Sequence, residues 1–248
     1  MTKAELVFIP SPGISHLVSM VEVAKLLVDC DERLSVTFLV MSLRFDSKVD
    51  CYVDSVSAAC KRIQFIDLPK HVPDPNQPSK FLFSLIEAQR PHVKEEVSKL
   101  VSHSELSQDS PRLAGIVLDM FCTSMIDVAN ESGVPSYVFF TSGAAFLGLE
   151  FYIQALLRDE FDSTELKDSA AELVMPCLTN PLPAKVLLFY LLDKEWPVFL
   201  RDTRRFRDNK GIIVNTFEEL ESHAVDPFSN SPDNLHLRQR ITLKGYWE

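Results

Sequence analysis

Glycine is scarce in this chain, 7 residues of 248, against roughly 7% in an average protein. So small a supply argues against Gly-rich phosphate cradles, and no Gly-x-Gly-x-x-Gly occurs. The loop after the first apolar run holds only Gly13, where Ser11, Pro12 and Ile14 would obstruct a pyrophosphate. Nicotinamide and flavin dinucleotides are therefore not expected. The five cysteines are odd in number and form no Cys-x-x-Cys pair, which points to reduced thiols and a cytoplasmic location. The longest uninterrupted apolar run, Val186 to Leu192, falls far short of the ~20 residues that span a bilayer. No transmembrane segment is expected. The apolar residues before Pro10 are too few for a secretory signal. Basic charge is also short: 25 Lys and Arg face 35 Asp and Glu, a net of −10. A phosphate backbone needs a basic surface, so nucleic acid is not an expected partner.

What is present reads as an ordinary globular chain, 46% apolar and 24% charged. Short apolar runs alternate with helix-period stretches. Glu5–Ile9 (ELVFI), Leu34–Val40 (LSVTFLV), Ile63–Leu68 (IQFIDL), Ala114–Leu118 (AGIVL), Ser136–Phe140 (SYVFF) and Gly211–Asn215 (GIIVN) read as strands. Leu17, Met20, Val21, Ala24, Leu27 and Val28 mark one helix stripe, with Ser15 as its expected N-cap. Leu82, Leu85, Ile86, Gln89, Val93, Val97, Leu100 and Val101 mark a longer one. Further helices are expected over residues 143–158, along Trp196–Phe206, and after two capping boxes, Ser124 with Asp127 and Thr216 with Glu219. Residues 69–79 and 102–112 read as loops, and the pattern dissolves from Pro227.

Strands alternating with helices imply a doubly wound, Rossmann-like parallel sheet covered on both faces. Such sheets bind ligands beyond the carboxyl ends of their strands, where strand order reverses. In the order 3-2-1-4-5, the segments after Ile9 and after Leu118 face one another. That puts His16 and Asp119, 103 positions apart in sequence, on adjacent loops. A histidine in the first turn of a helix meets the positive end of the dipole, which disfavours imidazolium, and a neutral histidine can serve as a general base. A carboxylate on its other nitrogen would fix the tautomer. From position alone, ordinary packing of His16 at a helix start and capping of the next helix by Asp119 explain the same residues more simply. Thr141 and Ser142, after the fifth strand, could hydrogen-bond a polyhydroxylated ligand or merely cap a helix. Phe121, Phe140, Phe146 and Phe151 could line a pocket or fill the core. His92, Glu95 and Glu96 share a helix face, better explained by solvation than by a metal. Cys122 lacks a nucleophile-elbow setting and reads as inert.

At these residues the sequence resembles the N-terminal half of plant family-1 UDP-dependent glycosyltransferases. The matching stretches are FIPSPGISHLVSMVEVAKLL, GIVLDMFCTSMIDVANESGVPSYVFFTSGAAFLG, MPCLTNPLPAKVLL and GIIVNTFEELESHAV, spread over residues 4–226. The resemblance implies the N-terminal domain of a GT-B fold, whose N-terminal domain mainly holds the acceptor and whose C-terminal domain mainly holds the nucleotide sugar. It implies that His16 is the general base, that Asp119 orients it, and that Thr141 contacts the donor sugar. Gly13, Ser15, Phe121, Ser142 and Phe146 become candidate substrate-binding residues. The implied reaction is inverting O-glycosylation of a small phenolic or terpenoid hydroxyl in plant secondary metabolism. A UDP-sugar, with UDP-glucose the first choice, is co-substrate; no other cofactor and no metal is implied.

The chain also departs from the family. The donor-binding domain carries a box with Trp, His-Cys-Gly-Trp-Asn-Ser and a closing acidic-Gln pair, whereas the only tryptophans here are Trp196 and Trp247 and no His-Cys-Gly occurs. The expectation is a chain with an acceptor-binding domain over 1–226, a divergent and poorly ordered tail over 227–248, and no C-terminal donor-binding domain. It is expected to be truncated and inactive alone, holding UDP-sugar only if a C-terminal domain is supplied. The alternative is a catalytically silent small-molecule-binding module. Acceptor choice should lie in the loops around 69–90 and 176–195.

Overall fold

The computed structural model describes residues 3–41, 47–70, 81–106, 110–158, 172–186 and 203–230. Strand and helix alternate through β1 (Ala4–Ile9), α1 (Ile14–Cys30), β2 (Leu34–Val40), α2 (Ser47–Ala59), β3 (Ile63–Asp67) and α3 (Phe81–Leu106). They continue through β4 (Arg112–Asp119), α4 (Ile126–Glu131), β5 (Ser136–Phe140) and α5 (Ala144–Arg158). Last come β6 (Glu172–Leu173), β7 (Leu182–Pro183), β8 (Ile212–Val214) and α6 (Glu218–Asn230). Six strands form one sheet in the order β3-β2-β1-β4-β5-β8, and every pairing among β1 to β5 is parallel. β6 and β7 make a separate antiparallel pair. The fold is the expected Rossmann-like α/β sheet in the expected order, with the late GIIVN strand added beyond β5.

Burial explains why these runs became strands. β1 pairs with β2 on one side and β4 on the other, so that Phe8 lies opposite both Phe38 and Val117. Val7, Phe8 and Ile9 are fully buried, as a strand covered on both faces requires. Phe38 stacks between Phe8 and Phe65, each pair of rings 5.1 Å apart.

The chain divides into two compact units. The first comprises Met1–Phe139 with Asp208–Lys210, the second Phe140–Arg207 with Gly211–Glu248. In the first, Val93 and Val97 of α3 pack with Ile9, Leu118, Cys122 and Ile126 in one apolar cluster. In the second, Ala144, Met175, Cys177, Ala224 and Val225 form a smaller core, joined by Leu149, Tyr152 and Val214. No helix among the described residues is long and apolar enough to cross a membrane.

Four local expectations are corrected. α2 was not foreseen; only Val49 and Val56 of its residues are buried, too few to set a visible stripe. Ser15 is not the N-cap of α1, because Gly13 holds that position with φ 122° and Ser15 falls inside the first turn. Ser124 lies in a 3-10 turn, Thr123–Met125, and α4 has no side-chain cap. The hydroxyl of Thr216 donates to Glu221 and not to Glu219. Most of the expected loop 69–79, most of the helix along Trp196–Phe206, and the tail beyond Asn230 lie outside the described residues.

Candidate active site

β1 and β4 run side by side and Ile9 pairs with Leu118, so the segments that follow them leave the sheet together. Gly13 makes the entry to α1 possible. Its φ of 122° lies where side chains are strained, and its carbonyl accepts the Leu17 N–H at 3.3 Å. His16 is the third residue of the helix. Its Nδ1 lies 2.8 Å from Oδ2 of Asp119. The other carboxylate oxygen, Oδ1, accepts the Phe121 N–H at 3.1 Å. Asp119 is fully buried, while the His16 side chain keeps 23% of its surface exposed. A carboxylate only accepts, so Nδ1 carries the proton and the lone pair is left on Nε2. That is the tautomer a general base needs.

The charge balance differs from the sequence expectation. Burial lowers the histidine's affinity for a proton, but the hydrogen bond to Asp119 and its negative charge together outweigh burial, and His16 sits above its ordinary value of 6.5. The carboxylate decides the sign. Phe121 meets the imidazole edge-on, ring centroids 5.5 Å apart, and Phe83 meets Phe121 in turn at 6.1 Å. Cys122 is fully buried, and burial together with the nearby Asp119 charge pushes its thiol well up, so it is no nucleophile.

Gly13, His16, Asp119 and Phe121 therefore gather in the first unit, with Ser15 exposed on the first turn of α1. Thr141, Ser142 and Phe146 belong to the second unit, where the first two form the turn between β5 and α5. Phe146 packs at 5.9 Å on Phe140. Phe140 and Phe151 are buried and both pack on Phe206, so they belong to the core. Glu95 and Glu96 each pair with Lys99 at 2.8 Å. Among the described residues no group of three or more His, Cys, Asp or Glu side chains is placed to hold a metal. Arg207 lies 5.4 Å over the Phe151 ring.

Sequence reasoning missed Phe83, Asn215 and Glu221. Phe83 could have been noticed, because it is a large aromatic off the α3 stripe of Leu82, Leu85 and Ile86. Asn215 and Glu221 act through long-range hydrogen bonds that no local pattern announces.

No protein-family model matches the chain. Curated relatives do. It is 48% identical over 239 residues to UDP-glucose flavonoid 3-O-glucosyltransferase 6 of Fragaria ananassa, covering 93% of this chain and 49% of that protein. It is 48% identical over 237 residues to UDP-glycosyltransferase 71B2 of Arabidopsis thaliana, covering 92% and 48%. Among solved structures, Medicago truncatula UGT71G1 complexed with UDP-glucose superposes with a TM-score of 0.76 at 38% identity, covering 90% of this chain and 48% of that one. The fold is thus that of the N-terminal domain of a GT-B protein. The chain belongs to the plant family-1 UDP-glycosyltransferases, where it corresponds to the N-terminal half; it spans about half the length of the curated relatives it matches.

Proposed function

We propose that this chain is the acceptor-side half of an inverting UDP-sugar-dependent O-glycosyltransferase, with UDP-glucose as donor and a small phenolic or terpenoid hydroxyl as acceptor. The observation that carries this reading is the 2.8 Å contact between His16 Nδ1 and the buried Asp119 carboxylate. Nε2 of His16 takes the proton of the acceptor hydroxyl as its oxygen attacks the anomeric carbon. The bond from that carbon to the UDP oxygen breaks on the opposite face, UDP leaves with the electron pair, and the configuration inverts. Asp119 stabilises the imidazolium that forms, and no covalent enzyme intermediate is needed. In the first unit Gly13, Ser15 and Phe121 border the acceptor; in the second Thr141 and Ser142 meet the donor sugar and Phe146 is a further substrate contact. Residues 1–226 form the acceptor-binding domain. The donor's nucleotide is held by a further domain, and the protein works in the cytoplasm.

The test is UDP release from UDP-glucose with a mixed panel of phenolic acceptors. The chain is assayed alone and with a relative's donor-binding half added, beside His16→Ala. Release should need the added half and fall about 100-fold or more in the variant. Equal release by both proteins would refute His16 as the base. Acceptor binding without release under either condition would favour a silent binding module, a reading consistent with the chain spanning half of its relatives.

A further inference from the structure

The turn between β5 and α5 is gripped by a segment some 75 residues later in the chain. α5 begins at Ala144, and its N-cap, Gly143, accepts the Leu147 N–H at 3.2 Å. Glycine has no side chain to meet the orphan N–H groups of the first turn. The carboxylate of Glu221 meets them instead: Oε2 accepts from Ala144 at 2.9 Å and Oε1 from Ala145 at 3.2 Å. The hydroxyl of Thr216 donates to the same carboxylate. On the other side of the turn, Asn215 donates its N–H to the Phe140 carbonyl at 3.0 Å and its Nδ2 hydrogen to the Thr141 carbonyl at 3.1 Å. The fit leaves no room, since a Cβ at Gly143 would come within 2.5 and 2.7 Å of the two carboxylate oxygens. α6 itself is interrupted at the residue that supplies the grip, where Glu221 has φ −122° and ψ 31°.

We infer that Glu221 is a positioning residue which, with Thr216 and Asn215, pre-orders the Thr141–Ser142–Gly143 turn and so presents its hydroxyls to the donor sugar. This rests on the reading of Thr141 as a sugar contact. A turn ordered before the ligand arrives spares the ordering cost at binding. The carboxylate also settles what the turn can receive. A bare helix N-terminus attracts phosphate, but here both amides are satisfied and the helix end already holds an anion. A neutral, hydroxyl-bearing group fits this turn; the donor's diphosphate does not.

Amide hydrogen exchange on the 248-residue chain tests the grip. Glu221→Ala should speed exchange at Ala144 and Ala145 at least tenfold, with Ser142 and Gly143 following, and leave Leu149 to Ile153 unchanged. Gly143→Ala, which drives the carboxylate out from the opposite side, should give the same local pattern. Unchanged exchange at Ala144 and Ala145, loss along all of α5, or failure of both variants to fold would overturn the inference in favour of an ordinary brace. The turnover assay with the donor-binding half added tests the consequence. Glu221→Ala and Thr141→Ala should each raise KM for UDP-glucose and not for the acceptor, and the double variant should lose less than the sum of the two single losses. Additive losses would overturn positioning. An unaltered KM in Thr141→Ala, with the exchange pattern intact, would overturn the sugar contact while the grip stands.

Discussion

A histidine and an aspartate 103 positions apart set each other's chemistry, and the consequences are measurable one side chain at a time. Because Asp119 holds His16 above 6.5, the acid limb of kcat/KM should lie above that pH. Asp119→Asn removes the negative charge, and with the remaining amide oxygen held by the Phe121 N–H its NH2 group faces Nδ1, so burial acts on the ring without the opposing charge. The limb should then move to lower pH while kcat/KM falls about 100-fold or more; a pH–rate profile of the complemented enzyme checks both. The stability that the pair contributes is full below pH 6.5 and fades as pH rises through the folded-state value. Glu150 behaves in the opposite sense. It is fully buried, its oxygens have no hydrogen-bond partner among the described residues, and burial pushes it from 4.5 up to about 8. The folded state keeps its proton where the unfolded state has lost it, so stability falls as pH climbs through that window. Glu150→Leu should therefore raise Tm more at pH 9 than at pH 5 by calorimetry. Equal gains at both would contradict a titrating carboxyl. The dyad was legible because two strand ends bracket it. The sign of the His16 shift was not, since it is the balance of burial against the Asp119 contact, and the 2.8 Å approach of the two side chains is not written in the sequence.

Elements here end by borrowing partners from elsewhere. The Arg62 guanidinium, just before β3, donates to the carbonyl of Val28 in α1, of Asp31 at 3.0 Å and of Leu34 at 3.4 Å. It thereby satisfies carbonyls at the end of α1 that the helix cannot. Arg62→Ala should lower the urea midpoint by the equivalent of about 1–2 kcal/mol with an unchanged m-value; a wild-type midpoint would show that water replaces these bonds without loss. The same borrowing explains which elements the sequence disclosed. Strands and the α1 and α3 stripes are written in periodicity, because each buries a whole face. α2 buries two valines seven positions apart, and so carries almost no period. The capping boxes failed for related reasons. Gly13 takes the turn that Ser15 was expected to hold, Ser124 falls in a 3-10 turn, and Thr216 bonds a carboxylate beyond its own helix start.

The six-stranded sheet is organised around β1, which the order β3-β2-β1-β4-β5-β8 places between β2 and β4. Its amides from Val7 to Ile9, and those from Ile116 to Leu118 in β4, should exchange most slowly with solvent, and the edge strand β3 faster. β3 amides as slow as those of β1 would remove β1 from its central role. Fold class and strand order were legible because parallel strands buried on both faces must read as unbroken apolar runs. The division into two units was not legible, because no linker composition marks it. Central placement of the earliest strand has a cost during synthesis. Ala4–Ile9 leaves the ribosome about a hundred residues before β4, which at roughly 5–20 residues per second is about 5–20 s. Through that interval one edge of β1 has no partner, and neither does His16. The His16–Asp119 pair and the centre of the sheet are thus completed by the same late arrival.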